Sequence, residues 1–213
     1  TDCVSRIGFT VTSILRIAMS QKTLEVLIVD NNSPFTPNLR DIINDLGYSY
    51  DYKRYSEIKL EELGFENLPW FNKVILSGRK IGSSSINMAN STLVKYCYSR
   101  TIPILGICYG CQIIALTLGG SLRRLEAPVK DYDHVTVKCD NALVFGKQRI
   151  RVFKSHKFCV SRLPACLDSV GESQTCPNEI LLHRDKPIFG TQFHPEVSGM
   201  DGKSILANFM ALA

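Results

Sequence analysis

The sequence predicts an α/β protein, with a mostly parallel central sheet, helices on both faces and a small antiparallel extension. Two observations carry this. Stretches that are apolar throughout, LEVLIVD (24–30), KVILS (73–77) and IPILGI (102–107), alternate with helical patterns, as strands buried on both faces require. After Gly119 and Gly120 the texture changes to short, alternating, turn-bounded segments, the mark of antiparallel strands with one wet face.

LEVLIVD reads as the first strand. Thr36 and Pro37 supply an N-cap and a first-turn proline for a helix bearing Leu39, Ile42, Ile43 and Leu46 on one face and closed by Gly47. YSYDYKRY (48–55) gives a second strand and KVILS a third. A helix is expected from Asn87 to Tyr98, a fourth strand at IPILGI, and a helix from Tyr109 to Leu118. HVTVKC (134–139), QRIRVF (148–153), FCVS (158–161) and EILLH (179–183) follow as separate short strands, then PIFGTQF (187–193) as a late core strand. The last helix runs from Gly202 to Leu212 and turns Ile205, Leu206, Phe209 and Met210 to the body. There is no internal repeat or low-complexity linker. Residues 1–18, ahead of Met19, are read as an N-terminal extension, leaving 19–213 as a single domain.

Lys and Arg number 25 against 20 Asp and Glu, a net +5. The cations are scattered, as in Arg123, Arg124, Lys147, Arg149, Arg151, Lys154 and Lys157, with little aromatic interleaving, so no nucleic-acid interface is expected. The eight cysteines lack the short regular spacing of a disulfide framework, which fits a reducing cytoplasm. The apolar stretch IGFTVTSILRIAM is too short and too interrupted to span a bilayer or serve as a signal peptide, so no membrane association is expected.

The heptapeptide GICYGCQ (106–112) joins IPILGI to the next helix. Cys108 therefore lies where a parallel strand ends and a helix begins, the edge at which open α/β sheets bind ligands. Free N–H groups and the helix dipole at that point favour a thiolate. Gly106 and Gly110 flank it symmetrically, as small residues flank the nucleophile in a sharp strand-to-helix turn. Three other readings compete on these residues. Cys108 and Cys111 form a C-x-x-C pair that a redox site would use, but its usual domain is much smaller. A zinc site would need a second tight ligand pair, and none is present, so no metal is expected. An inert buried cysteine leaves the glycine frame unexplained.

A nucleophilic cysteine needs a base. Of the four histidines, His134 and His183 fall in or beside short strands, whereas His194 follows the late core strand and precedes Pro195. Glu196 lies two residues on, on the same side as His194 if the segment is extended, and a carboxylate there would orient the imidazole.

GICYGCQ matches the G-x-C-x-G-x-Q pattern, and QFHPE the His-Pro-Glu signature, 86 residues apart between Cys108 and His194. In these motifs the chain resembles the class I, triad-type glutamine amidotransferase domain, from about Leu24 to Leu212. The segments SHKFCV and ESQTCPNEILLHRDKPIFGTQFHPEV look most like the separate glutaminase subunit of archaeal GMP synthases.

The resemblance implies hydrolysis of L-glutamine without a cofactor, through a γ-glutamyl thioester on Cys108, with His194 and Glu196 completing the triad. It places an oxyanion hole at the N–H of Tyr109 and in the loop holding Gly78 and Arg79. It assigns substrate contacts to Gln112, Lys157 and Phe158. Where related GMP synthase subunits read Ser-Gly-Gly-Pro, this chain reads SGRKIG (77–82). Arginine seldom takes the positive φ open to glycine, so a misaligned second donor and a low activity without a partner are expected.

The chain offers no module to use the ammonia. SGMDGKS (198–204) ends like a P-loop, but its first required glycine is Val197, and no Ser-Gly-Gly-x-Asp-Ser loop occurs. A separate ATP-dependent synthase chain is the implied partner. Two further readings stay open: a γ-glutamyl peptidase on the same scaffold, which Gln112 disfavours, and a non-catalytic glutamine-binding homologue with a degenerate oxyanion loop. Oxidation could also join Cys111 to Cys108 and silence the site.

Overall fold

Strand β1 (Leu24–Asp30) sends Val26 and Ile28 into one apolar cluster and Leu27 and Val29 into another on the opposite face. With both faces dry, it has no position for polar alternation. The computed structural model describes residues 24–58 and 71–212, so the N-terminal extension lies outside the described residues. β1 pairs in parallel with β2 (Tyr50–Arg54) and β3 (Phe71–Leu76). β4 (Ile104–Ile107) follows beside β3, and β9 (Ile188–Thr191) beside β4, both parallel. The order β2-β1-β3-β4-β9 is the doubly wound arrangement, with ligands expected beyond the carboxyl ends of the strands.

Helices α1 (Thr36–Asp45) and α4 (Gly199–Met210) cover one face of this half, through Leu39, Ile43, Ile205, Leu206 and Phe209. Helices α2 (Ser84–Arg100) and α3 (Tyr109–Thr117) cover the other, through Ile86, Leu93, Val94, Ile113 and Ile114. None of the described helices is long and apolar enough to cross a membrane. Beyond β9 the sheet turns antiparallel through β8 (Ile180–His183), β7 (Leu167–Glu172), β5 (Ser121–Val137) and β6 (Arg149–Arg162).

Several elements differ from the sequence reading. QRIRVF and FCVS are one strand, β6, because Lys154, which interrupts the apolar alternation, keeps its inward phase. Its Nζ lies 2.6 Å from Glu179 Oε1 and 2.7 Å from Asp133 Oδ2, with Lys154 and Glu179 wholly buried. β7 was missed altogether, and β5 begins thirteen residues before HVTVKC. Thr36 is inside α1 rather than capping it, and its hydroxyl donates to Asp30 at 2.7 Å. α2 starts at Ser84, capped by the Ser83 hydroxyl, in a serine-rich stretch that carries no apolar period.

Burial raises the Glu179 carboxyl, while Lys154 and a hydrogen bond from Ser173 pull it back. A single break in such a pair strands a buried charge, whereas removing both partners does not. Lys154→Met is expected to cost about 3–5 kcal/mol in urea unfolding, and Lys154→Met with Glu179→Leu to regain most of it.

Candidate active site

One residue separates β4 from α3, and it is Cys108. Its backbone sits at φ 52°, ψ −101°, a combination that a side-chain-bearing residue adopts only under constraint. The constraint is the close approach of α3. A Cβ on Gly106 would collide with the Gly110 carbonyl, and a Cβ on Gly110 with the Leu76 carbonyl oxygen. The Cys108 N–H is anchored to Thr191 O of β9 at 2.7 Å.

His194 arrives from β9, the neighbour of β4. Its N–H donates to Phe153 O of β6 at 2.9 Å, and the Phe35 ring meets the imidazole edge-on at 4.8 Å. Nδ1 lies 2.8 Å from Glu196 Oε1, with both side chains buried. The segment is not extended, as the sequence reading supposed: Pro195–Val197 forms a 3-10 turn, and that turn brings the carboxylate back to the ring. With Nδ1 committed to Glu196, Nε2 is the ring nitrogen available to Cys108, which lines the same pocket as His194. Burial alone would lower the imidazole, but Glu196 and then Cys108 outweigh it and hold His194 well above its ordinary value. The sulfur also lies 3.8 Å from Ser155 O and from Gln192 Nε2.

Tyr109 is the first residue of α3, so its N–H has no intrahelical acceptor. Gly78 sits against His194 and Cys108: a Cβ there would come 2.8 Å from His194 Cε1 and 3.7 Å from Cys108 Cβ. The Ser77 hydroxyl donates to Gly78 O at 2.9 Å and accepts from Asn31 N at 2.9 Å, which sets the Gly78–Arg79 peptide plane. Among the described residues no acceptor takes the Arg79 N–H. The strain expected of Arg79 is absent, because the non-glycine residues with positive φ among those described are Asn32, Thr101 and Cys108.

These residues border a cavity of about 510 Å³, lined among others by Phe35, Arg79, Cys108, Tyr109, Gln112 and His194. Lys157 and Phe158 line it too, so the three expected substrate contacts share one pocket with the cysteine. Gln112 Nε2 donates to Phe158 O at 2.8 Å and to Gln192 Oε1 at 3.1 Å, tying α3 to the strand that carries Lys157. His156 is neutral there: burial pushes it down to about 4, and its Nδ1 bonds Phe158 O at 3.0 Å. The four lining cations Arg79, Lys80, Lys130 and Lys157 face no lining carboxylate among the described residues.

Cys111 is not a second reactive group. It is fully buried against Gly190, and burial, then Cys108 and Glu179, push its thiol well up. Gln192 escaped the sequence reading, although its place two residues before His194 could have marked it. Phe35 escaped as well, and it carries no motif of its own.

The family model for class I glutamine amidotransferase matches residues 27–213. The chain is 31% identical over 198 residues to a glutamine-hydrolyzing GMP synthase of Serratia proteamaculans, covering 87% of this chain and 36% of that one. It is 32% identical over 185 residues to that of Cronobacter sakazakii, covering 81% and 34%. The chain thus spans about a third of the length of these relatives. Among solved structures, a protein from Thermoplasma acidophilum described as a candidate GMP synthase subunit superposes with TM-score 0.77 at 28% identity, covering 88% of this chain and 92% of that one. A glutamine amidotransferase from Thermotoga maritima gives 0.70 at 25% identity, covering 82% and 77%.

The geometry of the turn makes a stability order testable. At an unstrained position glycine is weaker than alanine by about 0.5–1 kcal/mol. At residue 108 the order should reverse, Cys108→Gly exceeding Cys108→Ala by about 1 kcal/mol in urea unfolding. A pH dependence follows from His194. Since the folded imidazole titrates above 6.5, its charged form adds stability that is complete below pH 6.5 and lost as pH rises through the folded value. Glu196→Gln should therefore lower the thermal midpoint most just below pH 6.5, with a deficit that shrinks at higher pH.

Proposed function

The chain belongs to the class I glutamine amidotransferase family, and we propose that it acts there as a glutaminase, releasing ammonia from L-glutamine through Cys108, His194 and Glu196. The observation that carries this is the buried pair of His194 Nδ1 and Glu196 Oε1 at 2.8 Å, which shares one pocket with Cys108 and whose imidazole is held well above its ordinary value.

In the proposed reaction the Cys108 sulfur attacks the side-chain amide carbon of glutamine. The oxygen takes the negative charge and meets the N–H groups of Tyr109 and Arg79. His194 Nε2 passes its proton to the departing nitrogen, the C–N bond breaks to release ammonia, and the acyl group stays on the Cys108 sulfur as a γ-glutamyl thioester. The neutral imidazole then takes a proton from water, the hydroxide adds to the thioester, and glutamate departs as the thiolate reforms. Glu196 holds the imidazole by Nδ1 and stabilises it while charged. Gln112 and the Lys157–Phe158 backbone would hold the amino-acid end of the substrate.

The named relatives pair glutamine hydrolysis with GMP synthesis over a length about three times that matched here. We place the ammonia-using step outside these residues, on an ATP-dependent synthase unit of the kind that activates XMP.

Ammonia release from L-glutamine, read by a coupled assay, should fall at least about 10⁴-fold in Cys108→Ala. An acid-quenched wild-type reaction should carry an acyl adduct on Cys108 by peptide mass. Turnover surviving in Cys108→Ala, or γ-glutamyl peptides hydrolysed in strong preference to glutamine, would count against the assignment.

A further inference from the structure

Three side chains from three elements meet at the rim of the pocket. The Arg79 guanidinium lies 3.9 Å above the centre of the Tyr109 ring, and its Nη1 donates to Asn87 Oδ1 at 2.8 Å. The Tyr109 hydroxyl reaches the same oxygen at 2.9 Å. A guanidinium can only donate, so the amide oxygen of Asn87 must face it, and the Tyr109 hydroxyl is then the second donor. Asn87 belongs to the first turn of α2. One amide oxygen thus closes a ring of contacts between the loop after β3, the start of α2 and the first residue of α3. The loop folds tightly around the arginine: a Cβ on Gly82 would lie 2.8 Å from Arg79 Cζ.

Resting on the glutaminase reading, we propose that Arg79, Asn87 and Tyr109 form a clamp that fixes the loop after β3 against α3, holding the two N–H groups beside the Cys108 sulfur in place before substrate binds. Arg79 and Tyr109 are the residues whose N–H groups would meet the oxyanion, and the clamp joins their side chains to each other. The Gly78 carbonyl is held by Ser77, and in a trans peptide the Arg79 N–H points the opposite way. With the carbonyl side held by Ser77 and the side chain held by Asn87 and Tyr109, the peptide has no free end about which to rotate. Oxyanion stabilisation depends on donors that need no reorganisation during the reaction, so the fixation acts on turnover rather than on binding. Asn87 touches no reacting atom in this scheme and is a positioning residue.

The test uses Asn87→Ala, Asn87→Asp and Tyr109→Phe in the full chain. Aspartate keeps an acceptor for both donors, alanine removes it, and phenylalanine removes one of the two bonds. Two quantities are read: kcat and KM for ammonia release from L-glutamine, and the rate of trypsin cleavage after Arg79 and Lys80, followed by mass. Asn87→Ala is expected to lower kcat about 10- to 100-fold with KM changed by less than about 3-fold. It should also speed cleavage in the loop at least about 5-fold, while the thermal midpoint stays near that of the wild type. Asn87→Asp should stay within about 3-fold of wild type in both readouts, and Asn87→Ala with Tyr109→Phe should be no worse than Asn87→Ala alone. Wild-type kcat in Asn87→Ala, unchanged loop cleavage, or a kcat loss that follows global unfolding would each overturn the clamp. A wild-type chain that releases no ammonia, yet whose loop cleavage still responds to Asn87, would overturn the glutaminase reading and the positioning role with it. Normal wild-type turnover indifferent to Asn87 sinks the clamp and leaves the glutaminase reading standing.

Discussion

The site depends on how closely α3 approaches the carboxyl ends of β3 and β4. Gly106 and Gly110 allow an approach that any Cβ would block, and the chain must then turn from strand to helix within Cys108 alone. That single-residue turn forces the positive φ and leaves the thiol in the crevice beyond the strand ends. The same packing sets the neighbour. β4 pairs with β9 in the register Gly106 to Gly190 and Ile107 to Thr191, so the Cys108 N–H meets Thr191 O and the residues just past β9 include His194. A local steric allowance in the sequence thus decides which two chain segments, far apart in sequence, share one pocket.

Burial acts on three groups in this region with three results. At Cys111 it stands without a cation and leaves a neutral, unreactive thiol. At His156 it is joined by repulsion from Lys154 and His194, so the ring stays neutral and serves to hold the Phe158 carbonyl. At His194 the same desolvation is outweighed by Glu196 and Cys108, and the charged form is favoured. Desolvation is common to all three, so the difference lies in what each group faces. A cysteine pair read from C-x-x-C alone offers no such distinction, which is why the sequence left redox and nucleophilic readings side by side.

The parallel half was legible because its strands have no wet face, so apolar runs and strand positions coincide. The antiparallel half was less so. β6 disguises itself by burying a lysine in phase with Ile150 and Val152, and the charge is balanced by Glu179, which lies 25 residues away in sequence. No local pattern announces that pairing. At the site, the positions of Cys108 and His194 were legible because each follows a strand end, where chain direction constrains side-chain placement, whereas Glu196 meets the ring through a 3-10 turn in a segment read as extended. Gln192 and Asn87 act through contacts across the sheet and the loop, and these exist only once β9, α2 and α3 are assembled.

The loop after β3 shows where a sequence argument about glycine can miss its cause. Arg79 was expected to strain the backbone because glycine tolerates positive φ, yet the residue does not use that region. The two glycines kept in the loop answer to space instead. Gly78 lies against the imidazole and the cysteine, and Gly82 lies against the guanidinium. Between them an arginine fits, because its bulk turns outward onto the Tyr109 ring and Asn87 rather than into the pocket. A loop with glycine there would have only main-chain contacts to set its conformation. With arginine, the side chain supplies an anchor to the helix that follows Cys108, so the substitution adds restraint at the point where the proposed oxyanion donors lie.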